Sequence, residues 1–223
     1  MIKWLKGLIL LILLAQVVVV FQFSNDISHL SYKDFINNAT FGNRVPLDIE
    51  GAPYENPDQI KNIDDLYTCS KYVLKVEVTD GELMKNAIIQ HCKITEVIKG
   101  DLEIDQLIQI YEATSGSWVT NMKYYENGEV TKINNHIEFY NGYVPLQLNN
   151  VYYVFLNDAP DPLRKSTYIF STSVFSHFNV DKEFKTINNV DDMNLLDSKQ
   201  YDCINIENYE EVYYNIREQL KGL

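Results

Sequence analysis

The chain reads as an α+β protein, mainly antiparallel β: a β-barrel or sandwich with a C-terminal helix, preceded by an N-terminal transmembrane helix. Three observations predict this class. Residues 4–23 are almost wholly apolar, and Lys3 and Lys6 sit at their start. From Cys69 onward, short runs of Tyr, Val, Ile and Phe alternate with polar residues, as half-buried strands do. After Asn208, apolar residues recur at helical spacing.

The apolar run is long enough for a spanning helix if Lys6 and Gln16 are included, since Lys6 can snorkel and Trp4 suits the interface. Signal cleavage wants small residues one and three positions before the cut, and the run past Ala15-Gln16 offers no such pair: Ser24 is preceded at the second position by Gln22. Residues 1–24 are therefore expected to be a retained signal-anchor whose partner is the lipid bilayer through residues 4–23; the alternative is secretion after cleavage. Either way the basic flank keeps the N-terminus cytoplasmic and places the rest outside. Residues 25–66 carry Gly42, Pro46, Gly51, Pro53 and Pro57 and read as an extracytoplasmic spacer or strap, with a short helix near Ile60 to Leu66. Residues 67–223 form the β-rich domain.

Its first strand holds Tyr72, Leu74, Val76 and Val78 on one face. Asp80-Gly81 then predicts a two-residue hairpin turn that sets Val78 opposite Leu83, Leu74 opposite Ala87 and Tyr72 opposite Ile89. Glu77, Lys75, Lys71 and Gln90 fall on the other face. That period would turn His91 and Lys93 inward, so a bulge or a change of face is expected near there. The same register sets Cys69 opposite Cys92, the disulfide an extracytoplasmic site permits, with Cys203 left over. Leu107, Ile108, Ile110 and Tyr111 make a third strand. A long excursion over residues 114–135 carries a hairpin signal at Asn127-Gly128. Strands follow at 137–144, 151–156 and 168–173, with a short one at 177–180. Asn208 and Glu211 suggest an N-terminal cap, and Tyr209, Val212, Tyr213, Ile216 and Leu220 form the helix's apolar stripe. Leu74, Val76, Val78, Ile94, Ile110, Val154 and Leu156 are the expected core, with Val212 and Ile216 of the last helix covering or closing the barrel.

Three stretches resemble small exported bacterial β-barrel domains of the OB-like, netrin-like type. These are Tyr72 to Val78, then Ile94-Thr95-Glu96-Val97-Ile98-Lys99-Gly100-Asp101, then Leu148-Asn149-Asn150-Val151-Tyr152-Tyr153-Val154-Phe155-Leu156. The resemblance covers Cys69 to about Val180. It implies a barrel and no catalytic residues. Its later turn usually carries glycine; Asn149-Asn150 stands there instead, and asparagine also reaches positive φ.

The net charge of −12 argues against nucleic acid as a partner. His29, His91, His136 and His177 are scattered, without ligand spacing, so no metal or other cofactor is implied. Asp158, Asp161, Asp191 and Asp192 lack the Asp-x-Asp ladder of a calcium loop. Ser115-Gly116-Ser117 lacks a nucleophile frame, and Glu96 with Glu112 is only a nominal acid pair. Trp118, Tyr124 and Tyr125, on the long excursion, are the candidate partner-binding residues. The function expected is a membrane-anchored, non-catalytic binding protein with a protein or cell-envelope partner. The alternative is an enzyme acting on the cell envelope, its site assembled only in three dimensions.

Overall fold

Alternating side chains closed on themselves give a barrel. The computed structural model of the chain describes residues 39–44, 56–84, 87–113, 119–126, 129–140, 144–159, 166–175, 177–181, 193–194 and 208–223. The proposed span at residues 4–23, together with His29, Trp118 and Cys203, lies outside them. Among the described residues no helix is long and apolar enough to cross a membrane.

In chain order the elements are β1 (Ala39–Arg44), α1 (Ile63–Cys69), β2 (Tyr72–Met84), β3 (Ala87–Lys99), β4 (Leu107–Ala113), β5 (Val119–Glu126) and β6 (Glu129–Tyr140). They continue as β7 (Val151–Asp158), β8 (Thr167–Phe170), β9 (His177–Phe178), β10 (Met193–Asn194) and α2 (Glu210–Leu220). Five strands pair in the order β2-β3-β4-β8-β7, and β7 pairs back onto β2 to close the barrel. All contacts around it are antiparallel except β4 with β8. This is an OB-like barrel with a C-terminal helix. A separate sheet has the order β10-β1-β6-β5. Within it β5 and β6 form the hairpin signalled by Asn127-Gly128, with Glu126 paired to Glu129.

Inward side chains fill the barrel. Leu74, Val76, Val78, Ile94, Ile110, Val154 and Leu156 share one fully buried cluster with Ile88, Cys92, Ile108, Tyr152, Tyr168 and Phe170. Val144 and Leu146, in the segment before β7, plug the end near Val78, where Asn149 donates to the Val78 carbonyl. That tight turn is made by Asn149 at φ 59°, so asparagine does reach the left-handed region that glycine would otherwise supply.

A second cluster lies outside the wall. Val73 of β2 and Tyr153 and Phe155 of β7 face outward against Leu66 of α1, Phe175, Phe178, and Tyr213, Ile216 and Leu220 of α2. Phe178 stacks on Tyr213 at 4.7 Å, and Phe155 meets Phe178 edge-on at 5.9 Å. Of the two expected arrangements, covering or closing the barrel, α2 takes the first and packs on the outer wall. Its N-cap is Tyr209, without a side-chain cap bond, rather than Asn208. The capping box occurs instead at α1, between Asn62 and Asp65. Lys99 ends that helix by donating its ammonium to the carbonyls of Tyr67 and Ser70 at 2.5 and 2.6 Å.

The first hairpin also differs. Asp80-Gly81 is not its turn: β2 runs on to Met84, which pairs with Ala87. A register shift between Val78 and Asp80 leaves Thr79 as the extra residue, Asp80 and Gly81 stay in the ladder opposite His91 and Gln90, and the Asp80 side chain accepts from the Gly81 N–H at 2.8 Å. Val78 consequently faces Cys92, and the inward residues of β3 are Ile88, Gln90, Cys92 and Ile94. Gln90 lies inside and His91 and Lys93 outside because β3 changes face with the new turn, alternating without a break from Ile88 to Ile94.

Candidate functional site

Over β2 and β7 the outer wall is apolar and roofed by α1 and α2. Over β3 and β4 its lower part is polar and open. One row across three strands is Glu77, Lys93 and Leu107; the next is Asp80, His91, Gln109 and Thr167. His91 Nε2 lies 3.0 Å from a Glu82 carboxylate oxygen and 3.4 Å from the Gln109 amide nitrogen. Gln109 in turn accepts from the Thr167 hydroxyl at 3.2 Å. Lys93 meets Asp105 at 2.7 Å, and that bond holds its ammonium above the ordinary lysine range.

The β3–β4 turn closes this face. Ile94 and Gln106, then Asp105 and Ile94, exchange backbone hydrogen bonds at 3.0 and 2.8 Å, and Asp105 sits at φ 67°. Glu103 N–H donates to the Gln106 side chain at 3.1 Å. Within this fixed turn Leu102 packs back onto the barrel core, while Ile104 and Leu107 stand 60% and 68% exposed. Sequence reasoning places Leu107 in the third strand without a face. The available signal is phase: with residues 108, 110 and 112 inward, residue 107 points out.

The barrel's interior holds one polar knot. Glu112 is 1% exposed; its two oxygens accept from the Gln90 amide at 2.9 Å and the Leu146 N–H at 3.0 Å. Gln90 also donates to the Leu146 carbonyl at 3.0 Å. The carboxylate thus fastens the plug segment to two strands, and its burial is compensated by fixed donors. At the other end Asp158 accepts from the Tyr72 hydroxyl at 3.0 Å and pairs with Lys71 at 2.5 Å. That lysine, by donating to Asp158, holds the carboxyl below its usual range, and the same bond raises Lys71.

The residues singled out in the sequence do not converge among the described residues. Glu96 is exposed opposite Lys75, Glu112 is inside, His91 is on the outer face and His177 is buried by the β7–β9 pairing. His136 lies on β6 in a different sheet. Among the described residues no three His, Cys, Asp or Glu side chains gather as metal ligands. Tyr124 and Tyr125 lie on β5, in register with Lys132 and Val130. Cys69 and Cys92 are not bridged. Cys92 is inside the barrel opposite Val78, whereas Cys69 ends α1 against the outer cluster. The bridge failed with the register on which it rested. Burial, with the Glu112 charge second, pushes the Cys92 thiol well above its ordinary range.

Comparison with protein-family models, with curated proteins and with solved structures finds no match.

Proposed function

We propose that this chain is a membrane-anchored, extracytoplasmic, non-catalytic binding protein. Residues 4–23 hold it in the bilayer with the N-terminus cytoplasmic, and the barrel presents its outer surface to a protein or cell-envelope partner. The observation that supports binding on the outside is the filled interior: inward side chains from all five strands are packed, and residues 144–147 plug one end. Recognition then falls to the outer wall and to the β5–β6 hairpin with Trp118, Tyr124 and Tyr125. The leader's basic start and missing cleavage pair support the topology. Protease treatment of intact cells should remove the barrel, and mass analysis should recover the N-terminal peptide uncleaved. A soluble chain beginning near residue 24 would overturn the anchor.

A further inference from the structure

We infer that the β3–β4 turn is a docking point for a basic, apolar-bearing segment of a second protein; this rests on the binding-protein reading above. Backbone bonds from Asp105 and Gln106 to Ile94, and the Lys93–Asp105 pair, fix the turn before any partner arrives. Leu102 enters the core, so the turn cannot swing Ile104 inward without losing that anchor. Ile104 and Leu107 are therefore held in water by structure on both sides. Two large aliphatic side chains in a rigid frame make a small anchor of the sort that binds with little ordering cost.

Charge selects the occupant. Asp101 and Glu103 precede Ile104 in the turn, both are exposed, and among the described residues neither has a cation within ion-pair reach. The nearest lysines are committed: Lys93 to Asp105, and Lys99 to the end of α1. An apolar pair with uncompensated acids beside it is complementary to Lys or Arg next to an apolar side chain. The same charge disfavours an anionic lipid surface, and it disfavours a second copy of this turn.

The test uses the full chain in the membranes of cells that make it. A photo-crosslinking aromatic residue replaces Leu107 in one strain and Tyr125 in another. Support is an adduct from position 107 whose attached peptide carries Lys or Arg beside an apolar residue. Its yield should fall roughly tenfold with Asp101→Lys and Glu103→Lys, and should fall with added salt in the parent chain. Because the salt arm needs no substitution, a charge variant that misfolds does not rescue the idea. An adduct with lipid, with a second copy of this chain, or one indifferent to salt overturns the inference. An adduct from position 125 alone overturns it while leaving the binding-protein reading intact. Adducts from neither position remove both.

Discussion

Gly100 lies against the ring of Tyr72, so close that an added Cβ would sit 2.5 Å from its Cδ1. The glycine is at φ 111°, a backbone that other residues rarely adopt. Strain and clash act together here, because Tyr72 is 5% exposed and cannot turn aside. Gly100→Ala should destabilise the fold by about 1–3 kcal/mol, measured by denaturant unfolding. A variant as stable as the parent would mean that the ring and turn move freely.

Truncating the barrel core should be costly and truncating the turn should not. Val76→Ala or Val154→Ala removes methyl groups from a packed interior and should cost about 1–3 kcal/mol. Leu107→Ser, at a side chain facing water, should leave the unfolding midpoint nearly unchanged. Equal costs at both places would contradict the assignment of faces.

The outer cluster gives a parallel expectation. Tyr213→Ala empties a site stacked between Phe175 and Phe178 and should cost on the order of 3–5 kcal/mol. Tyr213→Phe keeps the stack and loses the hydroxyl's 3.4 Å contact with the His177 carbonyl, so most stability should survive.

Replacing Glu112 with Leu would remove the carboxylate acceptor from the Gln90 amide and the Leu146 N–H inside the barrel, at a cost of about 1–3 kcal/mol. Hydrogen exchange should then quicken at Leu146 before it quickens in the strands. Uniform quickening would show that the knot does not hold the plug.

Acid should reach the Lys71–Asp158 pair at a defined place. Asp158 is depressed by its bond to Lys71, so its contribution is present above the unfolded carboxyl value of about 4 and disappears as pH falls through the lower folded value. The pair is half exposed, so the effect is small. Asp158→Asn should lower stability at pH 7 and differ less from the parent as pH drops below about 4. A gap that stays constant across that window would assign the loss to the Tyr72 hydrogen bond instead.

Much of this fold was legible because one period dominated. Leu74, Val76 and Val78 alternate cleanly, and the expected core residues from three other strands join them. Asn127-Gly128 likewise marked a real hairpin. Asp80-Gly81 carried an equally strong turn signal and sits in mid-strand. The difference is tertiary: β2 pairs with both β3 and β7, and a bulge accommodates the dipeptide while the ladder continues. With the closing pair at Met84 and Ala87 instead of beside Asp80-Gly81, the whole register moves, and the expected places of Gln90 and of the Cys69–Cys92 bridge were lost with it. The Glu112 knot was illegible for another reason. Its partners lie 22 and 34 residues away in the chain, and no local pattern announces a carboxylate turned inward. Ile104 left no signal either, since an exposed isoleucine in a turn looks like any other apolar residue until its neighbours are placed.

β7, with Val73 of β2 beside it, carries apolar side chains on both faces, one set for the barrel and one for the helices. Such strands cannot be water-worthy alone, and α2 comes late in the chain, well after β7. As the polypeptide emerges in order, the barrel can close while Phe155 and Phe178 are still bare. Until the last helix arrives, that patch is the surface on which a nascent chain would stick to its neighbours, and the place where a chaperone would be most useful.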